Sequence, residues 1–139
     1  MNTGALHLTQ KVDYGIMLLT SLANAGKKSV SIRKISEEND LSFLFLQKIA
    51  GILKQAGIIS AGRGKYGGYI LTKSPSHLKL KEIIEALEGP IAIVPCLKSS
   101  LRPCSCSQSC GVKSGLKKLN DEIMECFSSK SLSYFLKSK

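Results

Sequence analysis

The chain has 139 residues, 43% of them hydrophobic, with few aromatics and no Trp, which suits one compact domain with an appendage. No apolar run approaches the roughly 18 residues of a membrane span, and the opening M-N-T-G-A-L-H-L-T-Q lacks the basic region and apolar block of a signal peptide, so a cytoplasmic protein with no membrane partner is expected. A formal charge of +10, from 20 basic and 10 acidic residues, favours a polyanionic partner, nucleic acid first.

The hydrophobic pattern predicts a first helix over Leu6–Ala25, with Val12, Ile16, Leu19 and Ala23 at helical spacing and Thr9 as a candidate N-cap. Asp13 lies near the positive end of its dipole. Ser29 or Ser31 caps a short second helix, Ile32–Glu38. After a turn at Asn39-Asp40, Ser42 caps a third helix, Phe43–Gln55, which Gly57 ends. Ile58–Ser60 and Gly68–Thr72 then read as two strands. Between them lies the Gly-rich, basic stretch A-G-R-G-K-Y-G, so the pair forms a hairpin with a cationic tip. A fourth helix spans Leu80–Leu87. A last long helix runs from Lys113 to about Phe127, with Leu116, Leu119, Ile123 and Phe127 as its apolar stripe. A second copy of the chain is the natural cover for that stripe, because the equivalent helix there is self-complementary. Ser131 caps a short terminal helix, Leu132–Lys137.

Three helices followed by a two-stranded hairpin is the order of a winged helix-turn-helix, with a long C-terminal dimerisation helix added. The fold expected is mainly α with a small β wing. It divides into a DNA-binding domain at 1–89, a cysteine-rich loop at 90–112 and a dimerisation part at 113–139. In such a fold the third helix enters the major groove. The residues exposed near its start are Ser42, Phe43, Leu44, Phe45, Gln47 and Lys48. Gln47 suits a bidentate contact to adenine, and apolar side chains suit thymine methyls. Arg63, Lys65 and Tyr66 on the wing suit phosphate or minor-groove contacts. For Phe43 and Phe45 the pattern leaves a core position equally open. The tip is not a nucleotide-binding loop, since it lacks a G-K-[S/T] ending and leads into a strand.

Four of the five cysteines, Cys96, Cys104, Cys106 and Cys110, fall between Val94 and Val112. Reduced thiols this dense point to Zn, Cu(I) or an iron–sulfur cluster, or to reversible thiol oxidation. The spacing contains no C-x2-C pair of the kind structural zinc sites use. A Cys-x-Cys pair is awkward for two ligands on one metal, so one of Cys104 and Cys106 is spare and a fourth ligand is missing. Candidates for it are Cys106, Asp13, His7, His77 and an exogenous group. Cys126, on the apolar side of the last helix, reads as a buried small hydrophobe. No nucleophile–base pair and no catalytic carboxylate pair is present, so the chain is not expected to be an enzyme.

L-T-Q-K-V-D-Y-G-I, I-S-E, L-S-F-L-F-L-Q-K-I, G-R-G-K-Y-G-G-Y-I-L and L-K-E-I-I-E-A-L-E-G ahead of the cysteine loop together resemble the IscR/NsrR (Rrf) family of bacterial transcriptional regulators. The resemblance covers almost the whole chain. It implies a homodimer on a palindromic operator, with a [2Fe–2S] or [4Fe–4S] cluster held by Cys96, Cys104 and Cys110. It also maps the wing arginine to Arg63 and the polar recognition contact to Gln47. One branch takes its fourth ligand from a His three residues after the third Cys, where this chain has Lys113. Another takes it from an Asp in the partner subunit's first helix, where Asp13 stands. Cys106 departs from the family pattern and is an alternative ligand or a thiol relay. The function implied is a repressor that senses nitric oxide, redox state or cluster supply. The alternative is a metal-free regulator of the same fold, switched by thiol oxidation or a protein partner.

Overall fold

The structure, a computed structural model, describes residues 7–62, 67–97 and 109–136. Thr9 sets where the chain becomes helical. Its backbone is extended (φ −68°, ψ 158°) and its hydroxyl accepts from the Val12 N–H, satisfying an orphan donor of the first turn. α1 therefore spans Gln10–Ala25; of the residues that the hydrophobic pattern adds to it, His7, Leu8 and Thr9 lie ahead of the first helical turn and Leu6 lies outside the described residues. Leu18, Leu19 and Leu22 of α1 are fully buried at the centre of the core. Burying each such side chain contributes about 1.5–3 kcal/mol.

α2 (Ile32–Asn39) and α3 (Phe43–Gln55) follow, capped by the hydroxyls of Ser31 and Ser42. Their three-residue connection is fixed from both sides. Asp40 takes a left-handed conformation (φ 52°). The Leu41 N–H donates to the Ser36 carbonyl at 2.9 Å, and the Ser36 hydroxyl donates to the Leu41 carbonyl at 2.8 Å. Ile35 from α2 and Leu46, Ile49 and Leu53 from α3 close onto α1 as fully buried core.

β1 (Ile59–Ala61) and β2 (Tyr69–Leu71) pair antiparallel, with Ile59 opposite Leu71 and Ala61 opposite Tyr69. Val30 forms a further bridge to Tyr69, exchanging N–H···O bonds of 3.0 and 2.9 Å. Gly68 makes this possible. Its φ of +112° suits glycine, and a Cβ there would lie 2.7 Å from the Val30 carbonyl.

α4 (Leu80–Glu88) packs on α1 and α3, and α5 (Lys113–Ser129) packs on α4. The chain then returns to the core. The Leu132 N–H donates to the Leu78 carbonyl at 2.8 Å, the Leu80 N–H to the Lys130 carbonyl at 2.9 Å, and Leu132 is fully buried. The terminal helix expected over Leu132–Lys137 is instead a single 3-10 turn, Leu132–Phe135, and Ser131 makes no side-chain cap bond. Ser131 is committed elsewhere: its backbone bridges Lys79 and its hydroxyl bonds Ser133. Lys137 lies outside the described residues.

Two expectations for α5 are corrected. Cys126 is exposed, and Leu119 keeps 48% of its surface open. The face turned inward is Leu116, Asn120, Ile123 and Phe127, spaced i, i+4, i+7 and i+11. Each residue adds about 100° around a helix, which carries Leu119 and Cys126 off that face. Among the described residues, no helix is long and apolar enough to cross a membrane.

Candidate nucleic-acid interface and cysteine segment

The outward face of α3 is built by the inward one. With Leu46, Ile49, Ala50 and Leu53 buried, Leu44, Gln47, Lys48, Gly51 and Gln55 are exposed. Leu44 is 75% exposed, the most open large hydrophobic among the described residues. The helix carries no acidic residue, and two lysines, Lys48 and Lys54, stand on its open side. Ser42 is exposed, but its hydroxyl accepts from the Phe45 N–H at 3.3 Å and so holds the first turn. Phe43 and Phe45 lie off this face, half-buried on its two flanks and packed against the core. Phe45 meets Tyr14 of α1 edge-on, with ring centroids 5.3 Å apart. Phe43 lies under the guanidinium of Arg33, 4.5 Å from ring to cation. Neither aromatic is the outward-facing side chain that the sequence pattern allows.

The wing is pinned at its base. The Gly62 N–H donates to the Gly68 carbonyl at 2.8 Å, and the Ser29 hydroxyl to the Gly67 carbonyl at 3.1 Å. Arg63, Lys65 and Tyr66 belong to the tip between these anchors, outside the described residues.

The cysteine segment is described at its two ends. Cys96 sits half-buried in a 3-10 turn, Pro95–Leu97, closed by the Leu97 N–H on the Val94 carbonyl at 3.1 Å. Cys110 is half-buried just ahead of α5. Both are free thiols, while Cys104 and Cys106 lie outside the described residues. Asn120 ties the segment to α5: its Oδ1 accepts from the Ile93 N–H at 3.0 Å. Asn120 is the one buried residue of that helix. Sequence reading missed it, although a polar residue inside the i, i+4, i+7 apolar stripe was the available signal.

The stretch leading into the cysteines is also clasped to α1. The Lys11 ammonium donates to the Leu87 carbonyl at 3.2 Å and lies 3.9 Å from Glu88, to which the Thr9 hydroxyl also bonds. Above this clasp runs an apolar groove of about 710 Å³, bordered by Leu8, Val12, Ile84, Ile93, Ile123 and Phe127. His7 lines it as well. His77 is engaged in the turn before α4, its Nδ1 2.6 Å from the Ser74 hydroxyl. Asp13 is exposed in the first turn of α1 and has no ion-pair partner among the described residues. It opens onto a second groove of about 600 Å³ with Leu8, Met17 and Phe135.

The donor set suits an iron–sulfur centre. Cys96 and Cys110 carry soft thiols of the kind such a centre takes, at the two ends of a short segment with few apolar side chains to bury. Among the described residues no three His, Cys, Asp or Glu side chains converge; two of the four thiols fall outside that set.

Residues 8–138 match the profile of Rrf2, described as an iron-dependent transcriptional regulator. The HTH-type transcriptional regulator CymR of Bacillus subtilis is 34% identical over 94 residues, covering 67% of this chain and 68% of CymR. The solved structure of that protein, described as the global cysteine regulator of B. subtilis, superposes with a TM-score of 0.72 at 29% identity, covering 92% of this chain and 94% of that one. T. potens IscR superposes with a TM-score of 0.71 at 31% identity, covering 92% and 84%. An oxidized form of Staphylococcus aureus CymR gives a TM-score of 0.73 at 28% identity, covering 96% and 98%.

Proposed function

The chain belongs to the Rrf2 family of winged-helix transcriptional regulators, which bind DNA and are not enzymes, and from that premise we propose that it is a homodimeric repressor switched by an iron–sulfur cluster in its cysteine segment. Cys96, Cys104 and Cys110 are the proposed thiolate ligands. Asp13 of the partner subunit supplies the fourth, or Cys106 replaces it. When bound, such a cluster would supply the redox- and nitric-oxide-reactive chemistry; the chain's own part is to hold it and to transmit its presence. The division of labour is 1–89 for DNA, 90–112 for sensing and 113–139 for pairing.

The observation that carries this reading is the double anchoring of the cysteine segment. Asn120 fixes the stretch leading to Cys96 to α5, and the Lys11–Leu87–Glu88 clasp fixes the end of α4, from which that stretch leaves, to α1. α1 in turn packs on α3. A change in the segment therefore reaches the recognition helix through packed, hydrogen-bonded elements. The carboxylate of Asp13, without an ion pair among the described residues and open to a groove, supports a ligand role toward a second subunit.

On DNA, Leu44, Gln47 and Lys48 of α3 form the reading face, with Ser42 at its start. Arg63, Lys65 and Tyr66 form the wing contact, and two such faces meet a palindromic site. Phe43 and Phe45 support this face from its flanks. The second reading is a metal-free switch by thiol oxidation, favoured by the likeness to an oxidized form of CymR and by the extra Cys106.

Anaerobic reconstitution with iron and sulfide separates the two. The cluster reading expects a coloured protein with sulfide-to-iron absorption bands, lost in Cys96→Ser and Cys110→Ser and weakened in Asp13→Ala. A colourless product whose DNA affinity still responds to peroxide would favour the thiol switch.

A further inference from the structure

We propose that Arg33 is a DNA-phosphate anchor, held ready by the ring of Phe43 beneath it. The inference rests on the DNA-binding face described above and extends it to the helix before the recognition helix.

Arg33 is the second residue of α2, exposed to solvent, and its guanidinium carbon lies 4.5 Å from the Phe43 ring centroid. Glu37 stands four residues on, the spacing at which a helical ion pair forms. Even so, among the described residues no carboxylate lies within 4.0 Å of Arg33. Its neighbour Lys34 does take the pair available to it, with Glu38 at 3.8 Å. Arg33 thus sits over the Phe43 ring where it had the option to pair.

Stacking uses the face of the guanidinium and leaves its N–H edges open. Those edges match the paired oxygens of a phosphate. The platform is fixed, because Phe43 is half-buried and packed against the core. The long Arg side chain has therefore already given up part of its rotamer freedom before any ligand arrives.

Phe43 also opens α3, next to Leu44, whose surface is 75% exposed. In a winged helix-turn-helix the start of the recognition helix sits in the major groove. A cation fixed beside that start faces the phosphates that border the groove. Such a contact sets the register of the helix and carries no sequence information itself. Phe43, offered by its sequence position as a base-reading residue, acts here as a positioning residue for Arg33.

The test is a double-mutant cycle read by fluorescence anisotropy on a labelled mixed-sequence DNA duplex, over a series of salt concentrations, with the full chain. Arg33→Ala is expected to weaken binding roughly tenfold or more. It also lowers the slope of log K against log salt by about 0.9 for each phosphate that Arg33 neutralises in the parent. Phe43→Leu is expected to weaken binding while Arg33 is present and to change nothing further in the Arg33→Ala background. Phe43→Tyr, which keeps the ring, restores binding. Thermal melts establish that each variant is folded. Unchanged affinity and slope in Arg33→Ala overturn the anchor. An equal loss from Phe43→Leu in both backgrounds overturns the platform and leaves Phe43 a purely structural residue. A wild-type chain that fails to bind duplex at all refutes the DNA-binding reading, and the anchor with it.

Discussion

Gly51 lies at the centre of the exposed face of α3, one helical turn beyond Gln47 and seven residues beyond Leu44. A Cβ built there meets no heavy atom of the described residues within 4 Å, so nothing among them requires a glycine. A glycine inside a helix costs about 0.8–1 kcal/mol relative to alanine. Gly51→Ala should therefore stabilise the free protein by about 1 kcal/mol, raising its melting temperature by roughly 3–4 °C for a chain of this size. A ligand on this open face is then the reason to expect for the glycine. If this face packs on DNA, an added methyl intrudes where backbone and ligand come closest, and overfilling of a packed contact costs about 1–3 kcal/mol. That corresponds to a loss of roughly 5- to 150-fold in affinity. Thermal denaturation and duplex-binding titrations on the same preparations measure both effects. A variant that melts higher and binds DNA as tightly as the parent refutes placement of Gly51 at the closest approach. One that melts lower refutes the reading of α3 as an unstrained helix with an open face.

Two further outcomes follow from contacts inside the fold. Gly15→Ala places its Cβ 2.5 Å from the Leu87 Cδ1, where the two helices meet beside the Lys11 clasp. Chemical denaturation should show a loss of about 1–3 kcal/mol, and a change below ~0.5 kcal/mol would mean that Leu87 moves aside freely. Asn120→Ala leaves the Ile93 N–H without its partner, at a cost of about 1–3 kcal/mol if that group stays dry; hydrogen exchange at Ile93 should quicken and the reconstituted cluster should decay faster, whereas an unchanged cluster lifetime would detach Asn120 from sensing.

Local chemistry made most of the helix boundaries readable in advance. Ser42 and Gly57 bracket α3, and its residues Phe43–Gln55 follow from caps that act within one turn. The hairpin was legible because Gly and basic residues interrupt two short apolar runs, although β1 lies one residue later than expected and β2 is one residue shorter at each end. What escaped depends on distant partners. Asn120 matters because Ile93, 27 residues earlier, presents an N–H to it. Leu132 is core only because the terminal turn folds back on Leu78. Phe43 and Phe45 are two residues apart and flank opposite sides of a wide buried arc, so periodicity alone could not place them. Cys126 was misplaced by taking Leu119, instead of Asn120, into the inward stripe. On the candidate site, the thiol cluster and the exposed Leu44–Lys48 face were visible as composition and caps. The Arg33–Phe43 stack and the clasp between α1 and α4 were not, because each joins side chains from different elements.

The state of the cysteine segment is proposed to set the grip of α3 on DNA. The most direct test is a nitric oxide titration of the anaerobically reconstituted protein on a duplex recovered by selection from random sequence, with visible absorption and DNA affinity followed in the same cuvette. Affinity is predicted to change in step with the fading of the cluster bands, and Cys96→Ser to hold one fixed affinity throughout. Cluster bands that bleach fully while the affinity of the wild-type chain stays constant would contradict that link.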